Sequence, residues 1–281
     1  MMDAMKRFFY RYGWDTRCRN LCPARMLRTR LARVSGDSPW PLLDVGCGQL
    51  GLSAFLRGFS IVGSDLQPST EMLLRNISSR GRERPRETAV AGRAPGKPGG
   101  GRRCVGQRGR FRFVRSTATA LPFRDRAFPA VSCIDVLEHL APAQRTETIT
   151  ECLRVASRVV LFAFPDGARA KECDRRFQEA CRARSRRVPA WIEEHSRYDY
   201  PVADLVAAQV RQAAAQLGRT THLTESACEP LTISRLVRAA ASRSTFLYAL
   251  CNLWFGFLTP LLRASTRQAG YRAVLVAELS S

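Results

Sequence analysis

The chain has 281 residues, 45% of them apolar, and a formal net charge of +21. That length and apolar content suit one large domain with extensions and exclude a wholly disordered chain. Arginine carries the charge, since lysine occurs only at Lys6, Lys97 and Lys171. Such a balance either favours anionic partners (nucleic acid, a membrane surface, a phosphorylated substrate) or decorates a solvated surface without naming a partner.

The N-terminal residues 1–40 read as a basic, aromatic extension. They have no apolar core long enough for a secretory signal. Within them Met26 or Leu27, Leu31 and Val34 share one helical face, and Pro23 suits a first turn, so a helix is expected from Pro23 to Val34. The ten cysteines are scattered without a C-x-x-C pair, and histidine occurs only at His139, His195 and His222. This pattern points to buried, reduced thiols in a cytoplasmic protein and to no metal site.

Residues 42–51, Leu-Leu-Asp-Val-Gly-Cys-Gly-Gln-Leu-Gly, run from an apolar strand into an acid and closely spaced glycines. Gly46 and Gly48 let the backbone turn sharply and approach a ligand, and Asp44 puts a carboxylate at the strand end. Gly46, Gly48 and Gly51 also fit the dinucleotide spacing G-x-G-x-x-G, so the turn alone leaves the ligand open. A second short strand, Ser60 to Asp65, ends in an acid placed to take ribose hydroxyls, with helix capping as its plainer role. A helix is expected from there to Asn76.

Residues 79–110 hold nine arginines, one lysine, eight glycines and three prolines against two glutamates. Few apolar groups offset ordering entropy there, and a disordered insertion is expected. Strands follow at 111–114 and 130–134, a helix at 143–156 and a buried strand at 158–164. Strands alternating with helices give a doubly wound, mostly parallel α/β sheet. The last third shows helical stretches at 171–187 and 204–217, a candidate strand within 221–233, and a closing strand at 271–278. Residues 168–262 are expected to form a helical substrate cap. Ser244 to Leu262 carries no charge over nineteen residues, enough as a helix for about 28 Å. The strand beyond it argues against a membrane span. A covering helix or a surface helix, with Phe246, Leu250, Leu253, Phe257 and Leu261 in one stripe, fits better.

Four segments in order, Leu43-Asp-Val-Gly-Cys-Gly48, Val62-Gly-Ser-Asp65, Ala120-Leu-Pro-Phe123 and Val136-Leu-Glu-His-Leu140, resemble class I S-adenosylmethionine-dependent methyltransferases. The likeness covers about residues 40–165 and is greatest to the broad branch that includes ubiquinone and menaquinone methyltransferases. It implies a Rossmann-like methyltransferase domain over 41–281 with S-adenosylmethionine as cofactor. By position, Asp44, Gly46, Cys47 and Gly48 would hold the methionine end and Asp65 both ribose hydroxyls. Leu66, Thr117 and Ala118 would border the adenine, and Cys133 would line the floor near the sulfonium. Thr117 stands where the family often has Asp, and Phe128-Pro129 where it often has Phe-Asp. His139 and His195, with Glu194 and Tyr198 nearby, are the candidate bases. A small-molecule or lipid-linked acceptor is expected, with an anionic membrane surface as a further partner. RNA or protein methylation through the basic surface, and non-catalytic cofactor binding, are the alternatives.

Overall fold

The computed structural model describes residues 14–34, 42–48, 51–56, 58–67, 110–258 and 270–280. The insertion at 79–110, apart from Arg110, and the helix expected up to Asn76 lie outside these residues.

In chain order the described elements are α1 (Trp14–Val34), β1 (Leu42–Val45), β2 (Ile61–Asp65), β3 (Phe111–Arg115), β4 (Phe128–Ile134), α2 (Pro142–Val155) and β5 (Ala156–Pro165). Then come α3 (Gly167–Arg182), α4 (Ala190–His195), α5 (Ala203–Gln216), β6 (Thr220–Pro230), α6 (Leu231–Arg243), α7 (Thr245–Leu258) and β7 (Gly270–Ser280). Short 3-10 turns occur at Gly51–Ala54 and Leu137–His139. The strands form one seven-stranded sheet in the order β3-β2-β1-β4-β5-β7-β6. Strands β1 to β5 run parallel, and β7 enters antiparallel beside β5. Strand order therefore reverses between β1 and β4, and the ends of those strands open a ligand crevice.

Period-two alternation splits the strands between two apolar layers. Leu43, Val45, Val131, Val160, Phe162, Phe164 and Leu275 pack on one face with Ile149, Leu153, Val206 and Val210 of α2 and α5. Leu42, Ile61, Ala130, Ile134, Leu161, Val274 and Val276 pack on the other with Leu27 and Leu31 of α1 and Leu52. The central strands are apolar at nearly every position because helices cover both faces.

Three sequence expectations change here. Helix α1 begins at Trp14 and carries Pro23 inside it rather than at its start. An interior proline costs a helix about 3 kcal/mol, and burial of Cys18, Ala24, Leu27 and Leu31 works against that cost. Second, the region 168–262 is not one cap. Helix α5 belongs to the sheet sandwich and β6 is a sheet strand, whereas α3, α4, α6 and α7 wall a separate cavity. Third, the apolar run near the C-terminus forms a helix of 14 residues in α7. No helix among the described residues is long and apolar enough to cross a membrane. Phe246, Leu250, Trp254 and Phe257 of α7 face outward and are exposed, whereas Leu253 is half-buried.

Candidate active site

The turn after β1 is built by its own backbone. Gly46 and Gly48 have φ of +68° and +54°, in the left-handed region that side chains avoid. The Gly46 and Cys47 amides donate to the Ser64 carbonyl at 2.8 and 3.2 Å, fastening the turn to β2. A Cβ on Gly46 would stand 2.1 Å from Val136 Cγ2, and one on Gly51 2.2 Å from Asp44 Oδ2.

Asp44 is buried beneath this turn. Its Oδ2 accepts from the Leu52 amide at 2.9 Å and its Oδ1 from the Ser132 hydroxyl at 2.8 Å. Burial raises its pKa to about 6, against the opposing effect of those two bonds. Asp65 Oδ2 accepts from the Gly48 amide at 2.8 Å. The acid at the end of β2 thus meets the glycine turn directly.

Beyond the strand ends lies a cleft of about 470 Å³. Asp44, Gly46, Cys47, Gly48, Asp65, Leu66, Thr117, Ala118 and His139 all border it. The Cys47 side chain itself is packed into the core below, where burial, followed by Asp44 and Asp65, raises its pKa. Leu66 is exposed. The Thr117 hydroxyl shares a 2.8 Å hydrogen bond with that of Thr119.

Cys133, expected at the floor of the cleft, does not reach it. It is fully buried on the α2 side of β4 and interacts with Cys152 rather than lining the cleft. Strand alternation is the cause, because Cys133 points to the same face as Val131. Its neighbours Ile134 and Asp135 reach the cleft instead.

Sequence reasoning also missed Arg19 and Asn20 of α1, which border the cleft from a distant part of the chain. Asp135 gave one sign only after folding, a non-glycine residue at φ +53°. Its carboxylate receives Arg272 through two bonds of 2.9 Å and Arg19 at 2.5 Å. Burial acts to raise the Asp135 pKa, but Arg19 and Arg272 together hold it below the usual value.

A second cavity of about 310 Å³ adjoins this wall. It is framed by Phe177, Trp191, Tyr248 and Tyr271 and by the cations Arg186, Arg187, Arg238 and Arg272. Arg19 lines both spaces. His139 lines the first and His195 the second, with ring centroids 4.8 Å apart. His195 is buried, although its sequence context equally allowed a surface position. Burial, then the neighbouring His195, lowers the His139 pKa. Glu138 is fully buried beside them, and burial followed by Asp135 raises its pKa to about 8. Arg145 donates to the Leu137 and Leu140 carbonyls at 2.8 and 3.0 Å and to the Asp199 carbonyl, tying this turn to the loop after α4. Glu194 is 3.5 Å from His139 Nδ1. Tyr198 is exposed.

Residues 43–164 match the family model described as a methyltransferase domain. Over those residues the chain carries a class I S-adenosylmethionine-dependent methyltransferase domain. S-adenosylmethionine is the methyl donor of this methyltransferase. The cleft fits that group, with a tight turn held by the left-handed Gly46 and Gly48 at its edge and an acid at the β2 end.

Among solved structures, one similar chain is a putative sarcosine dimethylglycine methyltransferase from Galdieria sulphuraria, at 14% identity and TM-score 0.48. The match covers 92% of this chain and 85% of that one. Another is the magnesium protoporphyrin IX methyltransferase from Synechocystis PCC 6803 with bound SAH, at 14% identity and TM-score 0.47, covering 99% and 95%. A third is the [4+2]-cyclase SpnF, at 15% identity and TM-score 0.47, covering 91% and 80%. Comparison with curated proteins found no match.

Proposed function

We propose that the methyltransferase moves the methyl group of S-adenosylmethionine to a small acceptor held in the second cavity. The observation that carries this reading is the adjacency of the two spaces, which share Arg19 and have His139 and His195 between them. In this reading Asp65 accepts both ribose hydroxyls and Leu66, Thr117 and Ala118 border the adenine. The Gly46–Gly48 backbone admits the methionine end, with Asp44 below it and Arg19 beside its carboxylate.

The sulfonium is an excellent leaving group, so positioning and water exclusion can supply much of the rate without a protein nucleophile. The acceptor's lone pair attacks the methyl carbon in line, and the carbon–sulfur pair returns to sulfur as S-adenosylhomocysteine leaves. His139 or His195 takes the proton if the acceptor is a hydroxyl. Arg238, Arg272 and Arg19 are already paired with buried carboxylates, so Arg186 and Arg187, with the aromatic rings around the second cavity, favour an acceptor with a flat apolar body and an anionic group.

One observation favours a lipid-linked version. Thr245 and Tyr248 of α7 wall the second cavity, while the same helix turns Phe246, Leu250, Trp254 and Phe257 outward. An apolar helix face with arginines nearby can rest on an anionic membrane and lead an acceptor into the cavity.

A labelled-methyl transfer assay on fractionated lipid, small-molecule, protein and RNA extracts tests the reading. Label in an anionic small-molecule or lipid fraction is expected. Label confined to RNA or protein would replace the acceptor class. Calorimetry with S-adenosylhomocysteine tests the cofactor site separately, and a folded protein that gives no binding heat would overturn the whole reading.

A further inference from the structure

Glu138, His139 and His195 meet where the two cavities adjoin, and each offers one ligand atom within 4.8 Å of the others. A carboxylate and two imidazoles are a common donor set for a divalent first-row ion. A second observation makes this more than a cluster. Glu138 is fully buried, and neither of its carboxylate oxygens meets a hydrogen-bond donor on another described residue. Leaving a buried carboxylate unpaired is costly, and a bound cation removes that cost.

The surroundings orient the ligands. Asp174 Oδ2 lies 3.6 Å from His195 Nδ1, and Glu138 Oε1 lies 3.8 Å from His195 Nε2. Glu194 Oε2 lies 3.5 Å from His139 Nδ1. Each imidazole therefore has a carboxylate on its Nδ1 side, slightly beyond hydrogen-bond distance for His195, and a small rotation would give the contact that fixes tautomer and ring angle at metal-bound histidines. Asp174 is itself anchored by the Tyr200 and Tyr271 hydroxyls at 2.7 Å and by Arg238 at 3.0 Å.

We propose that Glu138, His139 and His195 bind a divalent transition-metal ion, with Zn²⁺ the best match, at the junction of the cofactor cleft and the second cavity. Two imidazoles disfavour Mg²⁺ and Ca²⁺, which prefer oxygen ligands. A tetrahedral zinc ion with bonds of about 2.0–2.1 Å would bring its ligands to about 3.4 Å from one another. Side-chain rotations of about an ångström close the present spacing. Three protein ligands leave a coordination position for an oxygen of the acceptor. That role rests on the proposed methyl transfer and would supersede the two histidines as proton acceptors, because metal-bound imidazoles are no longer free bases and the ion itself acidifies a bound hydroxyl; the binding site does not rest on that transfer. The proposal departs from the sequence expectation of no metal, which weighed cysteine spacing and could not see His139 beside His195.

The test is direct metal analysis of the full-length chain. Protein dialysed against Zn²⁺ and then metal-free buffer should retain stoichiometric zinc by atomic emission. Co²⁺ in its place should give visible ligand-field bands without a thiolate charge-transfer band. His139→Ala and His195→Ala should each lower Zn²⁺ affinity at least about 10-fold, and Asp174→Asn, acting through His195, about 10- to 100-fold. His139 is half-exposed, so its variant keeps the test open if a buried variant fails to fold. Folded wild-type protein that holds no zinc overturns the proposal. So does a thiolate band, or zinc binding unaltered in His139→Ala. S-adenosylhomocysteine calorimetry on the same samples separates the two readings. Zinc retained without cofactor binding would sink the transfer reading and leave the metal site, and the converse would do the opposite.

Discussion

The two sides of the candidate active site are built differently. The cleft side is local: Asp44 and Asp65 lie on adjacent parallel strands, Gly46 and Gly48 lie in the turn after β1, and backbone bonds from the Gly46 and Cys47 amides to Ser64 fix their geometry. The wall between that cleft and the second cavity is assembled from afar. Asp135 follows β4, Asp174 lies on α3, Glu229 on β6, Arg238 on α6 and Arg272 on β7, and their buried charges hold one another. The first kind of site depends on turn conformation. The second depends on every covering helix being docked, since removing one partner strands a buried charge.

The largest expected effect tests that dependence. Asp174→Ala leaves Arg238 without its 3.0 Å partner and both tyrosine hydroxyls without an acceptor. It should cost about 3–5 kcal/mol of unfolding free energy in denaturant titration. Any chain that remains folded should still bind S-adenosylhomocysteine, and a stability loss below about 1 kcal/mol would show that the network is not a structural support.

Gly46→Ala should act on the other side. It combines a left-handed φ with a clash against Val136, and should lose about 1–3 kcal/mol together with cofactor binding. Adding Val136→Ala relieves the clash and not the φ strain, so the double variant should recover only part of the stability. Full recovery would mean that backbone conformation matters little at this turn.

Asp65→Ala should cost about 1 kcal/mol of stability, because it removes the acceptor of the Gly48 amide, and weaken S-adenosylhomocysteine about 100-fold or more by calorimetry, the loss of two charge-assisted hydrogen bonds. An unchanged affinity would remove Asp65 from the proposed ribose site.

Asp44 gives a pH signature. Its pKa rises from 3.8 in the unfolded chain to about 6 in the fold. A raised carboxyl favours the folded state while protonated, so this contribution is full below pH 4 and is lost as pH rises through about 6. Asp44→Asn should therefore gain on wild type by about 3 kcal/mol between pH 4 and 7. If Asp44 also meets the cofactor's ammonium group, cofactor binding near pH 6 should release a proton, visible as a buffer-dependent binding heat that Asp44→Asn lacks.

The smallest effect on stability should come from Phe246→Ser with Trp254→Ser on the exposed face of α7, within about 0.5 kcal/mol. The same pair should reduce co-sedimentation with anionic liposomes. Unaltered liposome binding, or none in the wild type, would remove the lipid-linked version and leave the second cavity to soluble acceptors.

Much of the fold was legible in the chain. The apolar β1, the glycine turn, Asp65, the expected 143–156 helix and the closing β7 all follow from local patterns whose period the backbone imposes. Legibility ended where a side chain's direction or a distant partner mattered. Cys133 was placed in the cleft by its position near the end of β4, but strand alternation turns it into the core and presents Asp135 instead. Helix α5 and strand β6 looked like cap material because their sequence could not show which surface they would cover.

The sequence alone determined the parallel α/β sheet and the glycine-and-acid turn, because both come from contacts between near neighbours and from backbone conformations that few residues allow. Only the tertiary structure decided that Arg19 joins the cleft, that His139 and His195 stand face to edge, and that Asp174 and Arg272 lie buried among charges. Those contacts close across most of the chain, and their partners are chosen by how helices and strands pack rather than by any spacing along the sequence.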